Sequence, residues 1–498
     1  MAAAFPKANA HLLVWVALAP LLVAASRTDP WTALRYGFAF GMAFRIGSLY
    51  WVVYAMTEHG GLSFPIAVVG AGLLIAYLAA YWGLFALVVQ QIGLRHPASW
   101  VLLAGCWTGL EFFQGWFLTG FPWTPIGYAA GSTSVLAQMA SVTGVAGLSF
   151  LAVLVNAAVA AGALHRRIAM TSAAVAAGAL VAAIGFGAWT LAQASPSTTR
   201  LVVGLVQGNV EQGLKWDIGV RRELLERHVG LTRQAAAKGA QVVFWPESSW
   251  PDPYGIERDG VAYELIADAA RETRTNVVVG TARVTVAEDG YEVANAAVLL
   301  GAQGAVDGAY EKSHLVPFGE YLPFRSVLGW LGPLVQAVGE LRPGASDQSL
   351  LGGVDGVLPT FGMSICYEVI FPSMARAQTA QGAQFLATIT NDAWYGTTSG
   401  PYQHFAMARM RAVENRRWLV RAANTGISGA VDPWGRVVVA TGLKETAAPV
   451  VEIGLRQDTT LYQRLGDVLG MACQLLAGLL VFGALCGRPL LTSLADPV

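Results

Sequence analysis

The chain has 498 residues, of which 54% are hydrophobic and 13% charged, about half the charged fraction of ordinary soluble domains. A composition this apolar excludes a wholly soluble globular protein and points to a membrane protein. Lys plus Arg equals Asp plus Glu at 32 each, with the basic residues scattered, so nothing calls for nucleic acid as a partner.

Crossing a bilayer as a helix takes about 20 apolar residues. In chain order the candidate runs are 11–25 (short), 34–56, 64–92, 100–113 (short), 145–164, 168–191 and 468–485. Between the sixth and seventh lies a stretch rich in charges, turn glycines and short β-branched runs. The predicted organisation is an N-terminal transmembrane bundle of about six spans over 1–195, an extramembrane domain over 199–460, and a C-terminal transmembrane helix over 465–487. Fixed-period repeats and low-complexity tracts are absent, apart from an Ala-rich helix around 173–183.

Lys and Arg in short loops remain on the cytoplasmic side. Loops with Arg27 and Arg35, then Arg95, then Arg166 and Arg167 alternate with loops around Glu58 and 120–131 that carry neither. This places the large domain outside the cytoplasm and returns Arg488 to it. The same count leaves Lys7 outside with no conventional signal peptide before it, so a first helix is expected to be missing. Arg45 and Glu111 fall inside spans, where a lone charge is costly and faces the bundle interior or a wet cavity. A mutual pair, a structural contact between helices, and a lipid phosphate for Arg45 are the readings open there.

Within the extramembrane domain, 201–210, 241–245, 276–284, 361–366 and 384–390 read as strands, and 220–238 and 402–417 as helices, which argues for an α/β domain. Of the cysteines, Cys106, Cys473 and Cys486 sit in apolar runs, where free cysteine behaves as a small hydrophobe. Cys366 is the domain's one cysteine, which leaves it no disulfide partner there. Polar groups cluster where strands end: Glu247 in WPES, Lys312 in YEKSH, and Cys366 in ICYE. A thiol is a weak nucleophile until deprotonated. A neighbouring carboxylate can take its proton, and an ammonium can stabilise both thiolate and oxyanion. The backbone N–H of Tyr367, just past the thiol, is a candidate second oxyanion donor. Each residue also has a structural reading: a core cysteine, a solvated Glu247, a surface Lys312. His314 is a rival base, and spacing alone does not choose between Glu-Lys-Cys and Cys-His chemistry.

WPES, YEKSHLVPFGEYLP, ICYE and TNDAWYG, in that order, resemble the carbon–nitrogen hydrolase (nitrilase) superfamily, which uses a Glu-Lys-Cys triad in an αββα sandwich. LTGFPW at 118–123, VQGNVEQGLKW ending at Trp216, and GPYQHFAMARMRA at 400–412 extend the likeness over nearly the whole chain to that superfamily's membrane branch, the apolipoprotein N-acyltransferase family. The implied fold is a polytopic α-helical membrane bundle carrying an extracytoplasmic α/β nitrilase-like αββα domain. The implied roles are Glu247 as base, Lys312 as oxyanion-stabilising cation and Cys366 as nucleophile. Glu320 matches a supporting glutamate, Tyr367 and Glu368 the pair beside the nucleophile, and Trp216 and Trp394 aromatic residues tied to lipid handling or to loops over the site, with ordinary packing as the alternative for both. His314 is then expected to pack rather than act as base.

The resemblance implies a ping-pong reaction at the inner membrane, with a membrane phospholipid as acyl donor, through the sn-1 chain of phosphatidylethanolamine, and a diacylglyceryl apolipoprotein as acceptor. The other readings are a membrane-tethered nitrilase-like amidase and a non-enzymatic lipid-binding or transport scaffold. No metal-binding cluster or phosphate-binding glycine loop is written in the sequence, so no metal and no cofactor are expected. The family commonly has eight spans with both termini cytoplasmic, one more than the runs found here.

Overall fold

The computed structural model describes residues 1–498 apart from 217–218, 251–254, 258, 288–289, 330–339, 354–357 and 488–498. Arg488, assigned above to the cytoplasm, lies outside the described residues. The chain forms two units, a helical one of Met1–Val53, Phe64–Ala194 and Thr460–Val498, and an α/β one of Tyr54–Ser63 and Ser195–Thr459.

In the helical unit, α1 (Ala19–Ala25), α2 (Pro30–Leu49), α3 (Trp51–Glu58, which runs into the other unit), α4 (Phe64–Ile92), α5 (Pro97–Gln114), α6 (Ala140–Leu164), α7 (Ala169–Ala192) and a closing helix, Val468–Leu485, follow the apolar runs. Among the described residues, α4, α6, α7 with its leading turn and the closing helix are long and apolar enough to cross a membrane, and α2 with α3 makes a fifth candidate bent by 51°. The run at 11–25 is not one helix. Pro20 starts α1 afresh after a 3-10 turn at His11–Trp15. The freed backbone groups are met by Asn156 of α6, which donates to the Val14 carbonyl at 2.8 Å and accepts from the N–H groups of Leu18 and Ala19.

Glycines bring the helices together, as small residues do in apolar bundles where Leu-to-lipid and Leu-to-protein contacts are nearly equivalent. A Cβ on Gly37 of α2 would lie 2.2 Å from the Trp82 carbonyl of α4, and one on Gly109 of α5 would lie 2.1 Å from the Cys473 carbonyl of the closing helix. Arg45 and Glu111 turn out to be buried polar anchors. Arg45 donates to the Trp123 carbonyl, to Thr124 Oγ1 and to Gln114 Oε1 at 2.9–3.2 Å, and Glu111 accepts the Ile126 N–H at 2.7 Å. Both charges therefore hold the irregular stretch after α5, whose main chain has few helical partners of its own.

The α/β unit contains two sheets. The first runs in the order β11 (Val450–Gly454), β1 (Arg200–Leu205), β2 (Val242–Phe244), β3 (Asn276–Ala287), β4 (Gly290–Leu300), β5 (Val306–Glu311). The second runs β10 (Val437–Ala440), β9 (Gly429–Val431), β8 (Leu419–Ala423), β7 (Phe385–Thr390), β6 (Phe361–Ile365). β1, β2 and β3 are parallel, as are β6, β7 and β8, and the outer pairs are antiparallel. Val203, Phe244, Phe361 and Phe385 fill the space between the sheets. Leu225 and Val229 of α8 (Arg221–Ala237) and Ile266 and Ala270 of α9 (Gly260–Thr273) cover the other face of the first sheet. Helices α10 (Pro372–Ala380) and α11 (Gly400–Asn415) pack on the second. This is the four-layer αββα arrangement. Both strands are buried along their whole length, which explains why β6 and β7 are mostly apolar rather than alternating with charged residues.

Candidate active site

The nucleophile candidate sits at a sharp turn. Every residue of β6 is buried, and Cys366 follows it at φ +53°, left-handed backbone that disfavours a side chain by about 1–2 kcal/mol. The chain then enters a 3-10 turn, Cys366–Ile370, before Pro372 opens α10. Two buried groups hold the turn. His404 Nε2 lies 3.1 Å from the Cys366 carbonyl. Glu368 reaches back to the Ile365 N–H at 2.7 Å through Oε2. Its Oε1 accepts from the N–H groups of Ser313 and His314, from Ser313 Oγ and from the Tyr310 hydroxyl, at 2.7–3.1 Å. Glu368 thus ties the turn after β6 to the loop after β5. Burial raises its pKa, against the pull of the N–H groups of Ile365 and His314.

Glu247 follows β2 on a turn that crosses β3 closely: a Cβ on Gly280 would lie 2.2 Å from the Pro246 carbonyl, so only glycine fits. Its Oε1 accepts from Asn295 Nδ2 at 2.7 Å and Lys312 Nζ at 3.4 Å, and its Oε2 from the Asn391 N–H at 2.8 Å. Lys312 follows β5, is 1% exposed, and makes its shorter ion pair, 2.7 Å, with Glu320. The other oxygen of Glu320 accepts the Val316 N–H. Burial opposes charge on Lys312, but the carboxylates of Glu320 and Glu247 outweigh it and hold its pKa above the ordinary lysine value. The Cys366 thiol feels both neighbours. Burial and the negative charge of Glu247 push it up to about 12, while Lys312 and a hydrogen bond with Thr390 pull the other way. The resting thiol is therefore protonated, and its proton must leave as it attacks.

Glu247, Lys312 and Glu320 thus form one hydrogen-bonded chain within electrostatic reach of Cys366. Tyr367, buried, lies in the turn with its ring against Phe371. His314 stacks on Phe371 with centroids 3.9 Å apart. Trp394 lies on the 3-10 turn Asp392–Tyr395, its ring edge-on to His59 at 5.4 Å. Trp216 ends the turn Leu214–Trp216, and its side chain lies outside the described residues.

Sequence reasoning missed a second buried group. Asp392 accepts from Thr390 Oγ1 at 3.0 Å and from Arg421 at 2.7 Å. Burial disfavours its charge, but Arg421 and His404 hold its pKa well below the usual carboxylate range. Burial and the Arg421 guanidinium lower the pKa of His404. Its Nδ1 lies 3.0 Å from Asp392 Oδ1 and 3.1 Å from the Arg421 guanidinium, so the ring bridges this ion pair to the Cys366 carbonyl at Nε2. Asp392 lies in TNDAWYG and His404 in GPYQHFAMARMRA, so both stood in motifs already noticed. Lys215, beside Glu247, likewise stands in VQGNVEQGLKW, whereas Asn295 had no comparable signal.

Residues 202–459 match the carbon-nitrogen hydrolase family, and residues 1–158 match the apolipoprotein N-acyltransferase N-terminal domain. The chain is 37% identical to the apolipoprotein N-acyltransferase of Geobacter metallireducens over 495 residues, 98% of this chain and 93% of that protein. The chain belongs to the apolipoprotein N-acyltransferase family. The member from Haemophilus ducreyi is 34% identical, covering 94% of this chain and 91% of its own. That from Brucella melitensis is 36% identical, covering 82% and 78%. Membership makes this apolipoprotein N-acyltransferase family chain an enzyme, an acyltransferase with a nitrilase-like domain, and a bacterial membrane protein, in accord with its long apolar helices.

Proposed function

We propose that the enzyme moves an acyl chain from a membrane phospholipid, the sn-1 chain of phosphatidylethanolamine, through a Cys366 thioester to the α-amino group of the diacylglyceryl cysteine of an apolipoprotein. Glu247 takes the thiol proton as sulfur attacks the ester carbonyl. The C–O bond breaks, the glycerol oxygen leaves with that proton as lysophospholipid, and the thioester remains. The acceptor amine then attacks the thioester and gives a proton to Glu247. The C–S bond breaks, the thiolate recovers that proton, and an amide results. Lys312 and the Tyr367 N–H, the main-chain donor next after the nucleophile, stabilise the oxyanion of each tetrahedral intermediate.

The observation that carries this reading is the chain Glu247–Lys312–Glu320 beside a buried thiol presented at positive φ. Glu320 and Glu368 are positioning residues, one for the lysine and one for the turn. Trp394 and Trp216 are substrate or lid contacts. The alternation of Lys and Arg among the short loops supports a multi-pass protein of the inner membrane with the α/β unit on the periplasmic side. There both lipid substrates are held in the same surface at high effective concentration.

The test is the mass of the purified protein after incubation with phospholipid. An acyl adduct mapped to Cys366, absent in Cys366→Ala and discharged by a diacylglyceryl-cysteine peptide, is the expected result. Discharge by water with equal ease in the presence of the peptide would make the enzyme a hydrolase, and N-acylation by Cys366→Ala would remove the thioester.

A further inference from the structure

Lys215 sits on the 3-10 turn Leu214–Trp216 and is 2% exposed, yet the mechanism above has no use for it. Among the described residues its hydrogen bond is a single one, from Nζ to the main-chain carbonyl of Glu247 at 3.1 Å. Lys312, equally buried, has two carboxylates for the same charge. A buried ammonium held by one neutral carbonyl is an expensive arrangement. Its surroundings indicate its use. The carbonyl it grips belongs to the candidate base, whose turn continues into Ser248 at φ +50°, and the thiol of Cys366 lies within its electrostatic reach.

We propose that Lys215 is a positioning residue of the acyl-transfer site: it pins the Glu247 turn through the main-chain carbonyl and adds a second positive charge whose field favours the Cys366 thiolate. The proposal rests on the reading of Cys366 as nucleophile. Two cations then face the sulfur with different constancy. Lys312 is held charged by its carboxylates. Burial drives Lys215 down to about 7, with the charges of Glu247 and Cys366 pulling it back up. Its contribution is present below that pH and fades as the ammonium loses its proton above it. Attack on an acyl donor, which develops negative charge on sulfur and oxygen, restores the ammonium when it is needed; collapse to the neutral thioester lets it go.

The experiment uses the full-length protein in detergent and follows alkylation of Cys366 by iodoacetamide, mapped by peptide mass, from pH 5.5 to 9.5. The thiolate displaces iodide, so the rate reads the thiolate population. Lys215→Met is expected to slow alkylation about tenfold near pH 6, the equivalent of about one unit in the thiol's pKa, and to approach wild type near pH 9. Lys215→Arg, charged throughout, is expected to match wild type near pH 6 and exceed it severalfold near pH 9. Superimposable profiles, or a Lys215→Met rate lowered equally at every pH, would overturn the proposal, the second because it marks a structural role alone. Should Lys215→Met not fold, Lys215→Arg decides by itself: a profile parallel to wild type refutes, a crossing one supports. Failure of the nucleophile reading is separate, since Cys366→Ala would then retain N-acylation, whereas here Cys366 stays essential and is merely indifferent to residue 215.

Discussion

Replacing Glu368 with Gln changes one oxygen into an NH2 group in a pocket where, among the described residues, its hydrogen-bond partners are donors: Ile365 N–H on one oxygen, and Ser313 N–H, His314 N–H, Ser313 Oγ and Tyr310 OH on the other. With the Gln carbonyl kept toward the four-donor side, its amide faces the Ile365 N–H at 2.7 Å, and one buried backbone donor loses its acceptor. That costs about 1–3 kcal/mol, and the remaining hydrogen bonds fall from charge-assisted to neutral strength, about 0.5–1 kcal/mol each. Relief from burying a carboxylate offsets part of this, so a net loss of about 2–4 kcal/mol is expected, which lowers the melting midpoint of a domain this size by about 5–10 °C. The Cys366 turn, disfavoured by its own φ, depends on that clamp. Acyl-enzyme formation should therefore fall about 100-fold or more, roughly the rate cost of misplacing a reacting group by about 1 Å. Thermal unfolding of the purified protein and single-turnover acyl-enzyme formation, followed by mass, check the two parts. A Glu368→Gln protein with wild-type melting and wild-type acylation would show that the donor ring does not hold the nucleophile.

Glu247→Gln should reduce acyl-enzyme formation by about 100-fold to 10,000-fold, the range for loss of a general base. His314→Ala should cost less than about tenfold, because its ring packs against Phe371 and Tyr367; equal losses measured side by side would restore the Cys-His alternative. For Asp392 the folded pKa lies below the unfolded value near 4, so its contribution to stability is complete above about pH 4 and is lost as the pH falls through the depressed folded value. Asp392→Asn, which leaves Arg421 without its carboxylate in a fully buried site, should cost about 3–5 kcal/mol at pH 7. Its stability should also lose that part of the acid dependence, as urea unfolding at pH 7 and pH 3 would report.

The order of elements around the site was legible because strands and their exits have local signatures. Short β-branched runs closed by turn residues marked β2, β6 and β7, and Glu247, Lys312 and Cys366 each stand a residue or a few past a strand end. Where local pattern misled, a turn or a partner was responsible. The run at 201–210 reads as one strand, but β1 stops at Leu205, ahead of Gly208 and Asn209 at φ +51°. β3 was read, short of its full length, at 276–284, but β4, β10 and β11 were not, since part-exposed strands owe their pairing to neighbours rather than to their own composition. The glycine spacings at Gly37 and Gly41 and at Gly105 and Gly109 were visible, but which helix each would meet was not.

What the amino-acid order determined by itself was the kind of protein and the residues that could react. Apolar run length, motif order and the absence of a disulfide partner for Cys366 are properties of the chain read locally. Only the packed structure decided what those residues experience. Lys312 takes two carboxylates rather than one, Glu368 joins loops 55 residues apart, and His404 holds a carbonyl instead of a thiol. Each depends on distances between segments far apart in sequence and on the loss of water around them, and burial and charge separation come into being only when the sheets close on one another.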